Sequence, residues 1–437
     1  MTAKENPQTD RLEQASVPFV LEMTYHARNQ FLMLFSAILR SFIQHGSLEI
    51  IRPNGHRLTF GDGTPPHVAV RLSTGKIAAT LFRNPALVLG EAYMDGRLII
   101  AHGSIYDFLD LLAQNLSSSP GGFWYGLSTR TQRVKKRATS IRRARRNVAH
   151  HYDLDARLYD LFLDDDKQYS CAYFRKMDDG IDLAQLQKKQ HIAAKLYLDQ
   201  PGLRVLDIGC GWGGMACYLA ENFEAEVTGI TLSQEQYEYC LKRAENSPAR
   251  VRIDFRMLDY RELAEPYDRI VSVGMFEHVG KRSYPEFFAQ IRNLLTEDGI
   301  ALIHAIGFSD TPSPMNPFMR KYIFPGADVA SLSEVFSVVE PSGLLVTDLE
   351  ILRLHYAETL LRWRQRFTAQ REKAVQLYDE KFYRMWEFYL AMCEVGFRRQ
   401  ALIVFQIQLA KQIDRLPITR DYMFETEREW TSEHRAQ

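Results

Sequence analysis

Gly209, Gly211 and Gly214 follow the apolar run Val205-Leu-Asp-Ile208, and a helix is expected from Met215. A strand, a glycine turn and a helix in that order let a ligand approach the backbone with no Cβ in the way. The spacing satisfies G-x-G-x-x-G, so a dinucleotide is one ligand it would suit. That ligand also calls for an acidic residue after the next strand to hold a ribose, whereas here the strand ends in Gly229-Ile-Thr231. No GK[ST] follows the glycines, which excludes a P-loop. A glycine turn serving packing alone is the third reading.

Glu277, His304, Tyr356 and Cys171 are the other residues with chemistry to offer. Taken singly, a histidine at a strand end or a tyrosine on a helix is ordinary core material, and a cysteine suggests a thiolate nucleophile. Their surroundings say more. Asp207-Ile-Gly-Cys-Gly-Trp-Gly-Gly214 resembles motif I of Rossmann-like S-adenosylmethionine-dependent methyltransferases. The segment Gly229-Ile-Thr-Leu-Ser-Gln-Glu-Gln236 is similar to that of a narrower group, the cyclopropane fatty acid synthases and mycolic acid methyltransferases. Asn147-Val-Ala-His-His-Tyr-Asp-Leu154 and Gln168-Tyr-Ser-Cys-Ala-Tyr-Phe174 match that group too, as do Met275-Phe-Glu-His-Val-Gly280 and Ile303-His-Ala-Ile-Gly307. Tyr322-Ile-Phe-Pro-Gly326 and His355-Tyr-Ala-Glu-Thr-Leu360 complete the series in family order. The resemblance therefore runs from about Arg145 to the C-terminus. Leu89-Gly-Glu-Ala-Tyr-Met-Asp-Gly96 is similar to a segment of the bacterial synthases that carry an N-terminal extension.

The resemblance implies an enzyme that moves a one-carbon unit from S-adenosylmethionine to a cis double bond of a phospholipid acyl chain, forming a cyclopropane. It implies that Tyr169, Ser170, Asp207, Gly209, Gly211, Gly213, Thr231, Ser233 and Gln236 border the cofactor. Asp259 and Tyr260 stand where the mycolic acid branch has a glycine and a tryptophan beside the adenine. An isolated alkene attacks a sulfonium methyl directly and becomes a carbocation, so a base is needed only afterwards, to take a proton from the new methyl group. By resemblance that base is a bound bicarbonate. Glu277 would accept from its hydroxyl, His304, Tyr356 and the backbone around Cys171 would donate to its oxygens, and Ile306 would lie beside them. Related enzymes resolve the cation to a methyl-branched or methyl-alkene chain, and a non-catalytic lipid- or cofactor-binding module is a further alternative.

These residues need a scaffold. Arg204 to Ile208, Ala225 to Thr231, Val251 to Met257, Arg269 to Val273 and Ile300 to Ile306 read as strands alternating with helices, which predicts a mostly parallel sheet with ligands at one rim. The fold class expected is α/β, a Rossmann-like methyltransferase domain with a helical lid, preceded by a small α+β domain. The boundaries are a disordered tail over 1–20, a lipid-associated α+β domain over 21–122, a basic linker over 123–146 and the catalytic domain over 147–437. In the α+β domain, Leu21 to Gln44 has helical periodicity, Ser47 to Arg52 and His56 to Gly61 flank an Asn-Gly turn, and Ser104 to Leu116 is a second amphipathic helix.

Lys plus Arg and Asp plus Glu both number 54, so overall charge selects no partner. The local charge does: nine basic residues from Arg130 to Arg146 have no acidic residue among them. A solvated linker and contact with anionic phospholipid headgroups suit this run about equally, and without interleaved aromatics it does not suit nucleic acid. The five cysteines lack metal-ligand or disulfide spacing, so no metal and a reducing, cytoplasmic setting are expected, with peripheral membrane association and a homodimer as one assembly option. Phe318, Tyr322, Phe324, Trp363, Phe382, Tyr383, Trp386, Phe388 and Tyr389 are candidates for a dry acyl channel, and helical spacing makes many of them core as well.

Overall fold

The computed structural model describes residues 25–74, 76–81, 84–118 and 155–433. The expected tail over 1–20, the basic linker over 123–146 and the motif Asn147–Leu154 lie outside the described residues.

The first unit comprises α1 (Tyr25–Phe42), β1 (Ser47–Ile51), β2 (Arg57–Phe60), β3 (His67–Leu72), α2 (Lys76–Leu81), α3 (Pro85–Met94), β4 (Leu98–His102) and α4 (Ile105–Ser118). Its sheet runs β2-β1-β3-β4, with β1 parallel to β3 and the other pairs antiparallel. Local chemistry sets the ends. Gly55 turns the β1–β2 hairpin with φ at 81°, and Asn84 caps α3 by accepting from the Leu87 N–H, with Pro85 at the first helical position.

The second unit continues with α5 (Ala156–Asp160), α6 (Ile181–Leu196), β5 (Arg204–Ile208), α7 (Gly214–Phe223), β6 (Glu226–Thr231), α8 (Gln234–Glu245), β7 (Ile253–Met257), β8 (Tyr267–Val273), α9 (Tyr284–Leu294) and β9 (Leu295–Phe308). Beyond these come β10 (Ala330–Ser331), α10 (Leu332–Val339), β11 (Leu345–Ile351), α11 (His355–Ala369), α12 (Arg371–Leu377), α13 (Glu380–Arg399), β12 (Leu402–Ala410) and α14 (Asp421–Glu433). The sheet order is β11-β12-β9-β8-β5-β6-β7. Strands β7, β6, β5, β8 and β9 are parallel; β12 returns antiparallel against β9 and carries β11 on its far side. This is the Rossmann-like α/β fold that the strand–helix alternation predicts, with an antiparallel edge that it does not. The parallel strands all end at one rim, where the loops after β5, β6, β7 and β8 carry candidate residues and the end of β9 carries His304 and Ile306.

The two units pack through α13, which contacts both α3 and α4. Tyr93 donates to Glu387 at 2.6 Å, Arg399 pairs with Asp110 at 2.7 Å, and α3 offers Gly90 to the rings of Phe318 and Phe388. A Cβ at Gly90 would lie 2.4 Å from the Phe318 ring, so the close approach requires the glycine. Among the described residues no helix is long and apolar enough to cross a membrane.

Candidate functional site: two joined cavities

At the end of β5 the chain turns through Gly209 with φ at +80°, where a Cβ would sit 2.8 Å from the Met275 side chain. Left-handed backbone and lack of space both demand glycine there. The resulting cavity is lined by Tyr169, Ser170, Asp207, Gly209, Gly211, Thr231, Gln236, Asp259 and Tyr260 among others, which brings together nine of the eleven expected cofactor residues.

Gly213 and Ser233 are off its wall. Gly213 packs on Phe255, with its Cβ position 2.8 Å from that ring, and Ser233 caps α8 by accepting from the Gln236 N–H. Both support the loop rather than border the cavity. Asp259 also turns inward on the protein, its carboxylate holding Arg261 at 2.8 Å and capping a short 3-10 turn. Thr231 donates to Gln236 Oε1 at 2.8 Å and accepts from the Ser233 N–H, so hydroxyl and amide groups fill the place of a ribose-binding acid. Met275 and His278 of the Met275–Gly280 motif line this cavity too, as do Lys167 and Arg261, which no motif in the sequence singled out.

Asp207 is the electrostatic centre. Burial pushes its carboxyl up to about 7 against the pull of Lys188, and Oδ2 has no partner among the described residues. A buried, orphaned carboxylate oxygen on the cavity wall suits a ligand that brings a donor or positive charge, as the amino-acid end of S-adenosylmethionine does.

A second cavity of about 370 Å³ adjoins the first, sharing Tyr169, Ser170, Gly274 and His278 as wall. Cys171, Glu277, His304, Ile306 and Tyr356 all line it. Glu277 follows β8, and its Oε1 accepts from the Ile306 N–H at the end of β9, at 2.6 Å. Its Oε2 is buried and has no partner among the described residues, and burial pushes the carboxyl up to about 7. His304 is held well below its usual range by burial, and next by the nearby charges of Lys188, Lys195 and His191, so the ring is neutral. Gln406 of β12 donates to its Nδ1 at 3.1 Å, which places the ring proton on Nε2. Tyr356 is set by ring contacts with Trp363 and Phe397. The Cys171 thiol is buried and pushed up by that burial, which removes it as a thiolate nucleophile. An acceptor without a donor, beside a neutral imidazole and a phenol, fits a small anion that carries its own hydroxyl.

Most of the remaining wall of the second cavity is apolar. Of the nine aromatic candidates only Phe324 and Tyr389 line it; Trp363, Phe382, Tyr383, Trp386 and Phe388 pack in the core, as do Phe318 and Tyr322. Other wall residues, Phe308, Met315, Met319, Leu360, Met392 and Phe397, come from four stretches of chain with no common periodicity. Asn84, Ala86 and Leu116 of the first unit complete it.

A family model described as mycolic acid cyclopropane synthetase matches residues 139–407, and one described as a domain of unknown function matches 35–120. The chain is 35% identical over 351 residues to a cyclopropane-fatty-acyl-phospholipid synthase of Escherichia coli, covering 79% of this chain and 88% of that one. It is 33% identical over 378 residues to a probable fatty acid methyltransferase of Pseudomonas putida, covering 84% and 93%. The crystal structure of mycolic acid cyclopropane synthase CmaA1 complexed with SAH and CTAB superposes with a TM-score of 0.58 at 34% identity, over 61% of this chain and 97% of that one. With this family match laid over the two joined cavities, the chain belongs to the mycolic acid cyclopropane synthetase family and is an S-adenosylmethionine-dependent methyltransferase.

Proposed function

We propose that this enzyme converts a cis double bond in a phospholipid acyl chain to a cyclopropane. The observation that carries the reading is the junction: a glycine-turn cavity and a largely apolar cavity share one wall, and Glu277, whose buried Oε2 has no partner among the described residues, lines the second. S-adenosylmethionine supplies an electrophilic methyl, and a bicarbonate in the second cavity supplies a base for a single proton. Asp207, Thr231, Gln236 and Tyr260 hold the first ligand so that its sulfonium faces the shared wall. The apolar lining excludes water from the acyl cation that forms when the alkene takes the methyl, and the aromatic rings of Tyr169, Tyr356, Phe324 and Tyr389 on the wall stabilise its positive charge. Glu277, His304 Nε2–H and Tyr356 orient the anion that collects the proton, and loss of that proton from the added methyl closes the ring.

The N-terminal unit, 21–122, is proposed to be lipid-associated because Asn84, Ala86 and Leu116 form part of the acyl cavity. The basic run over 123–146 is proposed to hold the enzyme on an anionic cytoplasmic membrane face. A second reading, transfer of an intact methyl to give a branched chain, draws support from the fatty acid methyltransferase relative. A trideuterated methyl donor separates them. Ring closure leaves two deuteriums on the added carbon of the lipid product, and uniform retention of three rejects it.

A further inference from the structure

Lys188, in the middle of α6, is fully buried. Its ammonium donates to Gln168 Oε1 at 2.6 Å and to Ser170 Oγ at 2.8 Å. One turn earlier on the same helix, Gln185 Nε2 donates to the carbonyls of Gln168, at 3.2 Å, and Ser170, at 3.0 Å. Two side chains of one helix thus grip both the backbone and the side chains of the segment that forms the wall between the cavities. Asp164, Lys189, Cys171 and Asp207 are charged or ionisable groups near the ammonium, and His304 feels its charge.

Burial pulls Lys188 down to about 7, so below that pH it is an ammonium with only donors, and Ser170 Oγ must accept from it. The hydroxyl hydrogen is therefore turned away from Lys188, and no described residue accepts it. Gln168 shows the same logic carried through: with Oε1 taken by Lys188, its Nε2 is left to donate, and it does so to Asp166 at 2.9 Å. Ser170 lines both cavities, whereas Thr231, Gln236 and Tyr260 line only the first. The methyl must leave through the shared wall, so the sulfonium and the amino-acid end beside it lie at Ser170, and the adenosine lies at the other end.

We propose that Lys188 is a positioning residue: it fixes Ser170 as a hydrogen-bond donor to the carboxylate end of S-adenosylmethionine. This rests on the methyltransferase reading, so the primary readout is ligand binding rather than turnover. The full-length protein and its Lys188→Met, Lys188→Arg, Ser170→Ala and doubly substituted Lys188→Met/Ser170→Ala variants would be titrated calorimetrically. The two ligands are S-adenosylhomocysteine and 5′-methylthioadenosine, which has no amino-acid end. Each single loss is expected to weaken S-adenosylhomocysteine about tenfold, as for one hydrogen bond to a charged group. Methylthioadenosine affinity should hold, the double variant should be no weaker than the Lys188→Met variant, and Lys188→Arg should restore part of the loss.

Equal weakening of both ligands would overturn the proposal, because it would mean a generally loosened cavity. Losses that multiply in the double variant would overturn it as well. Should the Lys188→Met protein not fold, Ser170→Ala decides alone: unchanged S-adenosylhomocysteine affinity refutes the proposal, and a selective loss supports it. Wild-type protein that binds S-adenosylhomocysteine but leaves unsaturated phospholipid unmodified would sink the proposed reaction and leave this test standing.

Discussion

Replacing Glu277 by Gln keeps the shape of the side chain and removes its acid function. The amide oxygen can still accept from the Ile306 N–H, but where Oε2 offers an acceptor to the second cavity the variant presents a donor. Turnover is expected to fall about 10²- to 10⁴-fold, the usual worth of positioned acid–base chemistry. S-adenosylhomocysteine affinity should stay within about twofold, since Glu277 is not on the wall of the first cavity. Stability should move the other way. Folded Glu277 is pushed from 4.5 up to about 7 by burial, so between those values the folded protein binds more protons than the unfolded chain, and wild-type stability falls as pH rises. The loss is complete above about pH 7 and amounts to about 3 kcal/mol at about 1.4 kcal/mol per pH unit. Gln has no such dependence. Urea titrations in carbonate-free buffer should give nearly equal midpoints at pH 5 and a higher midpoint for the variant at pH 8. Retained turnover, or a variant less stable than wild type at pH 8, would refute the reasoning.

Gly209→Ala places a Cβ against Met275 in left-handed backbone, and should weaken S-adenosylhomocysteine at least about tenfold by calorimetry; unchanged affinity would mean the loop is not the ligand's floor. Gly90→Ala, which in a free helix stabilises by about 1 kcal/mol, is expected to lower the thermal midpoint instead, because the new methyl meets Phe318 and Phe388. Association with anionic vesicles should weaken as salt rises, and sedimentation that ignores salt would remove the basic run from membrane binding.

Strands β5 and β6 were legible as apolar runs within a residue of their ends, because both faces of a central parallel strand are buried. Strand β11 was not. Its Asp348 and Glu350 look solvent-facing, yet they pair with Lys195 and His191 of α6 and with Arg420, partners far away in sequence. Helix α6 hides itself in the same way. Gln185, Lys188, Lys189, Gln190, His191 and Lys195 read as a polar surface, but all are buried, neutralised or hydrogen-bonded by other elements, so periodicity carries no trace of them. The candidate acid, imidazole and phenol were legible only through their neighbouring motifs. That Gln406 sets the histidine tautomer, and that the cavities meet at Ser170, are facts of β12 and of α6 packing, which no local segment encodes.

A crystal structure of the enzyme with S-adenosylhomocysteine and a single-chain cis-unsaturated lipid is the most direct measurement. The adenosine should lie between Thr231, Gln236 and Tyr260, with the sulfur at the Ser170–Gly274 wall and the double bond on its far side, beside Glu277. A sulfur turned away from that wall, or an acyl chain outside the second cavity, would contradict the account.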